Sequence, residues 1–276
     1  MTGQKISIVS PKQQTTRNNI KGIVVKDNCQ LIFVDTPGLF IPKAKNRLEK
    51  IIVDNASRQL GQADLNLLMI DVDNYQPSAN QLIIEKLKAK NLKTMLLLNK
   101  IDLLKDKRKL LELSQELSEQ YQFLEILMIS SLKGDGIDRL EDKLVKIAKN
   151  SPFLYPEDQI SDLPLRFLAA ELTREQIFLQ LRQELPYAIA VLTENFKEDE
   201  KHYLLEQVIY VQKESQKKIV IGKNGLQLKS IGKRARLEIA QLLGRKVFLK
   251  LFVKVKADWP SDNYLGRDLK LLESKN

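Results

Sequence analysis

Four apolar runs punctuate the first half of the chain, and each stops at a polar residue. They are LIFVD (31–35), LNLLMID (65–71), TMLLLN (94–99) and the shorter LEILMIS (124–130). Strands apolar on both faces belong inside a parallel sheet covered on both sides. Helical patterns lie between them: NRLEKIIVDNASRQL (46–60), SANQLIIEKLKAK (78–90), KRKLLELSQELSEQY (107–121) and, after Gly136, IDRLEDKLVKIAKN (137–150). The alternation predicts an α/β doubly wound sheet. Ligands of such sheets gather at the carboxyl ends of the strands, where Asp35, Asp71, Asn99 and Ser130 stand.

A different grammar follows. SPFLYPEDQISDLPL (151–165) holds three prolines and little periodicity, and reads as a linker. RFLAAELTREQIFLQLRQEL (166–185) predicts a long helix, and YAIAVLTENFKED (187–199) and KHYLLEQVIYVQ (201–212) predict two strands. KKIVIG (217–222) reads as an apolar strand end leading into the helical KNGLQLKSIGKRARLEIAQLLG, and KVFLKLFVKVKADW (246–259) as a last strand. The expected units are 1–150, a linker at 151–165, and an α-β-β-α-α-β unit at 166–276.

Charge separates the same two parts. Residues 1–200 hold 28 Lys+Arg against 28 Asp+Glu, and residues 201–276 hold 17 against 7. The net charge of +10 therefore lies in the last quarter, which points to a polyanionic partner. Cys29 and His202 are the only cysteine and histidine. That count excludes an internal disulfide, a Cys/His zinc site and a Cys-His or Ser-His catalytic pair. No apolar window is long enough to cross a membrane, and MTGQKISIVS lacks the signal-peptide pattern. A cytoplasmic location is expected.

Several short motifs carry chemistry. Asp35-Thr36-Pro37-Gly38 fits D-x-x-G at a strand end. In GTP-hydrolysing domains this aspartate holds Mg²⁺ through water, and the glycine N–H reaches the γ-phosphate. Asn99-Lys100-Ile101-Asp102 fits N-K-x-D, about 60 residues later. Its aspartate accepts from guanine N1 and N2, its lysine stem lies along the base, and its asparagine ties the loop down. Ser130-Ser131-Leu132 follows the next strand, where a backbone N–H meets guanine O6. Gln14-Thr15-Thr16-Arg17 lies in a polar stretch before GIVVKD (22–27), and a threonine there can ligate Mg²⁺ once GTP orders the segment. Each motif is weak alone; their order and spacing give them weight.

In the basic region, Gly222-Lys223-Asn224-Gly225 is a G-x-x-G. Two glycines let a nucleic-acid backbone approach, Lys223 meets phosphates, and the following helix N-terminus adds its dipole. Lys229, Lys233, Arg234 and Arg236 extend the basic surface over the next turns. One motif has no match. None of the eleven glycines fits the phosphate-binding loop G-x-x-x-x-G-K-[ST].

Together these stretches resemble the Era family of GTPases, a Ras-like G domain followed by a KH domain of the α-β-β-α-α-β type. VDTPGL, NKIDLL, LYPEDQISDLPLRFLAAELTRE, IVIGKNGLQLKSIGKRARLEI and VFLKLFVKVKADW read like that family's signatures, and the likeness runs from about Gly3 to the C-terminus. The resemblance implies GTP or GDP at Asp35, Thr36, Pro37, Gly38, Leu39, Asn99, Lys100, Asp102, Ser130, Ser131 and Leu132, with Mg²⁺ at Thr16 and Asp35. It places switch I at Gln14–Arg17 and RNA on Gly222–Gly225, Lys229, Lys233, Arg234 and Arg236.

It further implies a monomer that binds the 3′ region of 16S rRNA and assists 30S assembly, with peripheral contact to an anionic membrane. The linker would carry the nucleotide state to the KH domain. Leu39 stands where Ras-like proteins place a water-orienting glutamine, so no catalytic side chain is expected and hydrolysis should be slow. The family's first strand and phosphate loop precede the segment like QKISIVS, so the expected sheet is a G domain lacking both. A late start assignment is the favoured explanation over a truncated gene, since the later motifs are intact. The alternative function is a nucleotide-independent RNA-binding protein using only its KH half.

Overall fold

The computed structural model describes residues 1–10, 15–42, 47–181 and 185–262. The chain opens with a hairpin of β1 (Ile20–Lys26) and β2 (Cys29–Asp35), antiparallel and in register from Ile20↔Asp35 to Lys26↔Cys29. Asp27 and Asn28 form its two-residue turn with φ of 49° and 59°. This left-handed pair matches the twist of the flanking strands. Helix α1 (Arg47–Gln59) follows, then β3 (Asn66–Asp71), α2 (Pro77–Ala89), β4 (Thr94–Asn99), α3 (Arg108–Gln120), β5 (Ile126–Met128) and α4 (Ile137–Ile147).

Strands β3, β4 and β5 are parallel in the order β3-β4-β5. Every residue of β4 but the last is buried, as its central place demands. Among the described residues, β1-β2 and β3-β4-β5 are separate sheets, and neither β2 nor β3 pairs with the other. A cleft of about 480 Å³ lined by Gly3, Ser7, Phe33, Asp35, Ser131 and Ile137 lies beside β2. Leu31 and Phe33 of β2 and Leu65 and Leu67 around β3 still pack on one apolar cluster with Leu127, Ile129 and Leu140.

Gly136 fixes how α4 leaves β5. Its φ is 75°, and a Cβ there would lie 2.7 Å from the Met128 carbonyl oxygen. Gly136→Ala combines left-handed strain with a backbone clash, and a loss of about 2 kcal/mol is expected in urea unfolding. A loss below about 0.5 kcal/mol would refute this account of the turn.

The second half contains α5 (Leu165–Gln180), β6 (Ala190–Glu198), β7 (His202–Val211), α6 (Glu214–Ile221), α7 (Leu226–Leu243) and β8 (Lys246–Val255). The sheet order is β6-β7-β8, with β6-β7 antiparallel and β7-β8 parallel. The α-β-β-α-α-β order stands, but the strand expected at 217–222 is a helix. Its β-branched Ile219, Val220 and Ile221 mislead, because Val220 alone is fully buried and Ile219 faces solvent. The long helix expected to reach residue 185 ends at Gln180. Helices α5, α6 and α7 cover one sheet face, with Ile177, Val220 and Ile231 packed in one cluster with Val191, Ile209 and Val211 of the strands. The opposite face is covered in part by α1. Its Leu48 and Ile52, with Phe40, pack on Ala190, Leu192, Val208, Tyr210 and Trp259. Among the described residues no helix is long and apolar enough to cross a membrane.

Candidate nucleotide and RNA sites

The carboxyl ends of β4 and β5 bring the base-recognition candidates together. Asn99 ends β4. Its Oδ1 accepts from the backbone N–H of Lys100 at 2.8 Å and of Ser131 at 3.0 Å. One side-chain oxygen thus ties two loops, the role expected of this asparagine. Lys100 takes the left-handed conformation, φ 67°, which turns the chain sharply into a short 3-10 turn at Ile101–Leu103. Its ammonium donates to Asp71 Oδ2 at 2.5 Å, across the β3-β4 register that pairs Asp71 with Asn99. Ser130 is fully buried. Its hydroxyl donates to Asp102 Oδ1 at 2.6 Å and accepts from the Lys133 N–H at 3.1 Å. Asp102 is thereby oriented by a buried donor. Leu132 is 83% exposed, held by no packing. Neither Asp71 as the partner of Lys100 nor the bond from Ser130 to Asp102 was anticipated from the sequence. Only the strand-end position of Asp71 hinted at a role.

On the other side, Asp35 ends β2 and Thr36–Leu39 run on in the loop beyond it. Asp35 Oδ2 accepts from Thr16 Oγ1 at 3.2 Å and from Ser7 Oγ at 3.4 Å. The residue keeps solvent contact, but protein atoms crowd its carboxyl. That desolvation holds its pKa above the ordinary carboxylate value, against the opposing effect of the Thr16 and Ser7 hydroxyls. A carboxylate and a hydroxyl on one spot suit a hard cation such as Mg²⁺, whose remaining positions would fall to water and phosphate oxygens. Thr16 and Asp35 would hold it, and it would neutralise phosphate charge. Gln14 lies outside the described residues.

The switch-like segment makes a second set of contacts, with α5 and with residues 186–189. Arg17 is buried, and its guanidinium donates to the carbonyls of Ile189 (2.6 Å), Tyr187 (2.8 Å) and Pro186 (3.1 Å). Burial, and then the nearby Arg174 charge, push its pKa down to about 9. Arg174 donates to the Thr15 carbonyl at 2.9 Å. Glu175 accepts from the Val9 N–H at 2.8 Å and from Lys5 Nζ at 2.5 Å, and Lys5 also reaches Glu238 of α7 at 3.3 Å. The sequence assigns Gln14–Arg17 to switch I, with Thr16 at the metal, and does not announce this docking of Thr15 and Arg17. The other sign is in α5, where the charged Glu171, Arg174 and Glu175 are all buried.

The G-x-x-G candidates cap a groove. Gly222 has φ 72° and ψ 176°, and a Cβ there would lie 2.6 Å from Gln227 Cβ. Asn224 and Gly225 are also left-handed, with φ of 52° and 73°. The loop enters α7 through a 3-10 turn at Lys223–Gly225, and the helix before it is α6 rather than the expected strand. A groove of about 490 Å³ runs along α7 and the edge of β8, with Gly225, Lys229, Lys233 and Arg236 on one side and Leu249 and Leu251 on the other. Lys229, Lys233 and Arg236 share one helical face at i, i+4 and i+7. Arg234 points off that face and does not line the groove.

The chain matches two family models. One is described as a 50S ribosome-binding GTPase, over residues 1–100, and one as a KH domain, over residues 184–260. It is 44% identical to the GTPase Era of Bradyrhizobium diazoefficiens over 98% of this chain and 87% of that protein. It is 45% identical to that of Agrobacterium fabrum, over 98% and 85%. The chain belongs to the Era GTPase family. Solved Era structures share its fold. An Era bound to MgGDPNP and nucleotides 1506–1542 of 16S ribosomal RNA matches with a TM-score of 0.91 at 38% identity, over 98% of this chain and 91% of that one. An Aquifex aeolicus Era variant bound to GDP·AlF4⁻ matches with 0.90 at 37%, over 98% and 91%. The architecture is an Era-like G domain followed by a KH domain.

Proposed function

We propose that this Era-family chain is a guanine-nucleotide switch that binds the 3′ region of 16S rRNA and acts in assembly of the 30S subunit in the cytoplasm. The observation that carries this is the double docking of the G-domain loops on the KH domain. Lys5, Val9 and Thr15 clamp α5 through Glu175 and Arg174, and Phe40, Leu48 and Ile52, just beyond Asp35, pack on the far sheet face. A change at Thr16 or Gly38 therefore pulls on both faces of the RNA module. The sequence-based route through the linker is narrower than this, since Tyr155 and Ile160 bind the β1-β2 hairpin.

Base selection would fall to Asp102, oriented by Ser130. The metal would fall to Thr16 and Asp35, and RNA to the groove beside Gly222–Gly225. Half-buried Leu39 offers no base, so any hydrolysis is slow.

The test is the affinity of the full chain for a 16S 3′-end oligonucleotide with Mg²⁺ and either GDP or a non-hydrolysable GTP analogue. A difference of at least about fivefold, within the usual range of coupling between sites, supports the switch. Equal affinities with both, and none for fluorescent GDP, would leave a nucleotide-independent RNA binder instead. Where GDP binds, Ser130→Ala should weaken it about tenfold, as expected for losing one hydrogen bond to a carboxylate.

A further inference from the structure

Strand β8 has two sides, and the groove uses only one. Leu249 and Leu251 line the groove, while the alternate residues Lys246, Phe248, Lys250, Phe252 and Lys254 face the other way. Among the described residues β8 pairs with β7 alone, so it is the sheet edge over which these two surfaces meet. Phe248 is 44% and Phe252 47% exposed, beside Leu204 and between lysines.

Lysines at alternate positions of an edge strand have a bland reading: they discourage strand-to-strand aggregation. That reading does not cover the two phenylalanines, which would promote the same sticking. The Phe248 ring is also held in place. Lys246 Nζ lies 5.1 Å over the Phe248 ring and His202 meets that ring edge-on, with centroids 5.1 Å apart. Glu206 fixes Lys250 at 3.0 Å and Glu194 fixes Lys254 at 3.1 Å. With Lys197 beside Glu206, the face carries four lysines against two glutamates.

We infer that this face is a second RNA surface, a continuation of the groove around the β8 edge for single-stranded RNA. This rests on the RNA-binding reading of the G-x-x-G groove. Ordered aromatic rings interleaved with lysines stack bases and meet phosphates without reading sequence. The lysines held by carboxylates supply direction more than bulk charge, which fits a threaded strand better than a flat anionic bilayer. The face also abuts the patch under α1, since Phe252 is the register partner of Val208, on which Leu48 and Ile52 pack. RNA here would sense the segment beyond Asp35 directly.

The test uses the full chain, Phe248→Ala with Phe252→Ala, and two oligonucleotides drawn from the 16S 3′ end. One has about 4 nucleotides, the length a G-x-x-G loop clamps, and one about 12. The double variant should bind the short probe within about twofold of the parent and lose about tenfold or more on the long one, as for a lost base stack. Equal affinities of parent and variant on the long probe overturn the proposal. So does loss of binding to phosphatidylserine vesicles with RNA affinity intact, which would assign the face to a membrane. Gly225→Asp is the control on the underlying reading. If it leaves the short probe unaffected, the groove reading fails, whatever the phenylalanines do.

Discussion

Arg174→Met is expected to destabilise the folded chain by about 3–5 kcal/mol, because it leaves a buried carboxylate without its partner. In α5 the Arg174 guanidinium donates from Nη2 to Glu171 Oε2 at 2.5 Å and from Nε to Oε1 at 2.7 Å. The two side chains are only 2% and 10% exposed. The same guanidinium holds the Thr15 carbonyl and lies 5.2 Å over the Phe178 ring. Methionine keeps some of the packing and none of the charge. Part of the loss is offset, since Arg174 also repels buried Arg17.

The companion variant sharpens the test. Glu171→Leu together with Arg174→Met removes both charges, and well-packed apolar replacements of buried pairs are neutral or stabilising by about 1–4 kcal/mol. The double variant should therefore recover most of the stability but not the tie to Thr15. Urea unfolding reads the first effect. Hydrogen exchange at the amides of Thr15–Arg17, next to the lost contact, reads the second. A single variant within about 1 kcal/mol of the parent would mean that the pair contributes no more than one ordinary hydrogen bond.

The legible and illegible parts of this molecule divide by the range of the interaction. The D-x-x-G and N-K-x-D motifs were readable because each is a strand end followed by a turn, and the strand is visible as an apolar run. Asn99 and Ser130 came together as expected because β4 and β5 are parallel neighbours. The KH order was readable for the same local reason. The helix at Glu214–Ile221 was not, because eight residues hold barely two turns, too few for a 3.6-residue period to show against β-branched Ile219–Ile221. The α5 clamp joins Arg17 to residues 186–189 and Thr15 to Arg174, partners separated by about 160 positions or more. No local pattern announces such a pair, and a polar stretch destined for burial looks in sequence like a solvated loop. The charged residues of α5 are visible in the sequence, but no local pattern places them on a buried face. They lie on an inner face, because the helix is enclosed by its own sheet on one side and by Lys5, Val9 and Thr15 on the other.

Gly225→Asp should reduce affinity for a 16S 3′-end oligonucleotide by at least about tenfold, with little cost to folding. The two glycines of the G-x-x-G are unequal. Gly222 has φ 72° and ψ 176°, a region essentially closed to other residues, and a Cβ there would strike Gln227 at 2.6 Å. Replacing it damages the loop, so lost binding would be ambiguous. Gly225 sits at φ 73° and ψ 8°, where aspartate is among the better tolerated residues, and a Cβ there meets nothing within 4 Å. Its carboxylate would enter the groove beside Lys229 and Lys233, where phosphates are expected. It repels the RNA and pairs with the cations that should bind it. At about 1.4 kcal/mol per tenfold, one lost charge-assisted contact of about 1.5–3 kcal/mol accounts for the effect. Gly225→Asn is the isosteric control and should retain most of the affinity. The salt dependence adds a second readout, since losing a phosphate contact should lower the slope of log K against log salt by about 0.7 on a single strand. A Gly225→Asp chain that folds normally and binds the oligonucleotide as the parent does, with the same slope, would place the RNA elsewhere on the molecule.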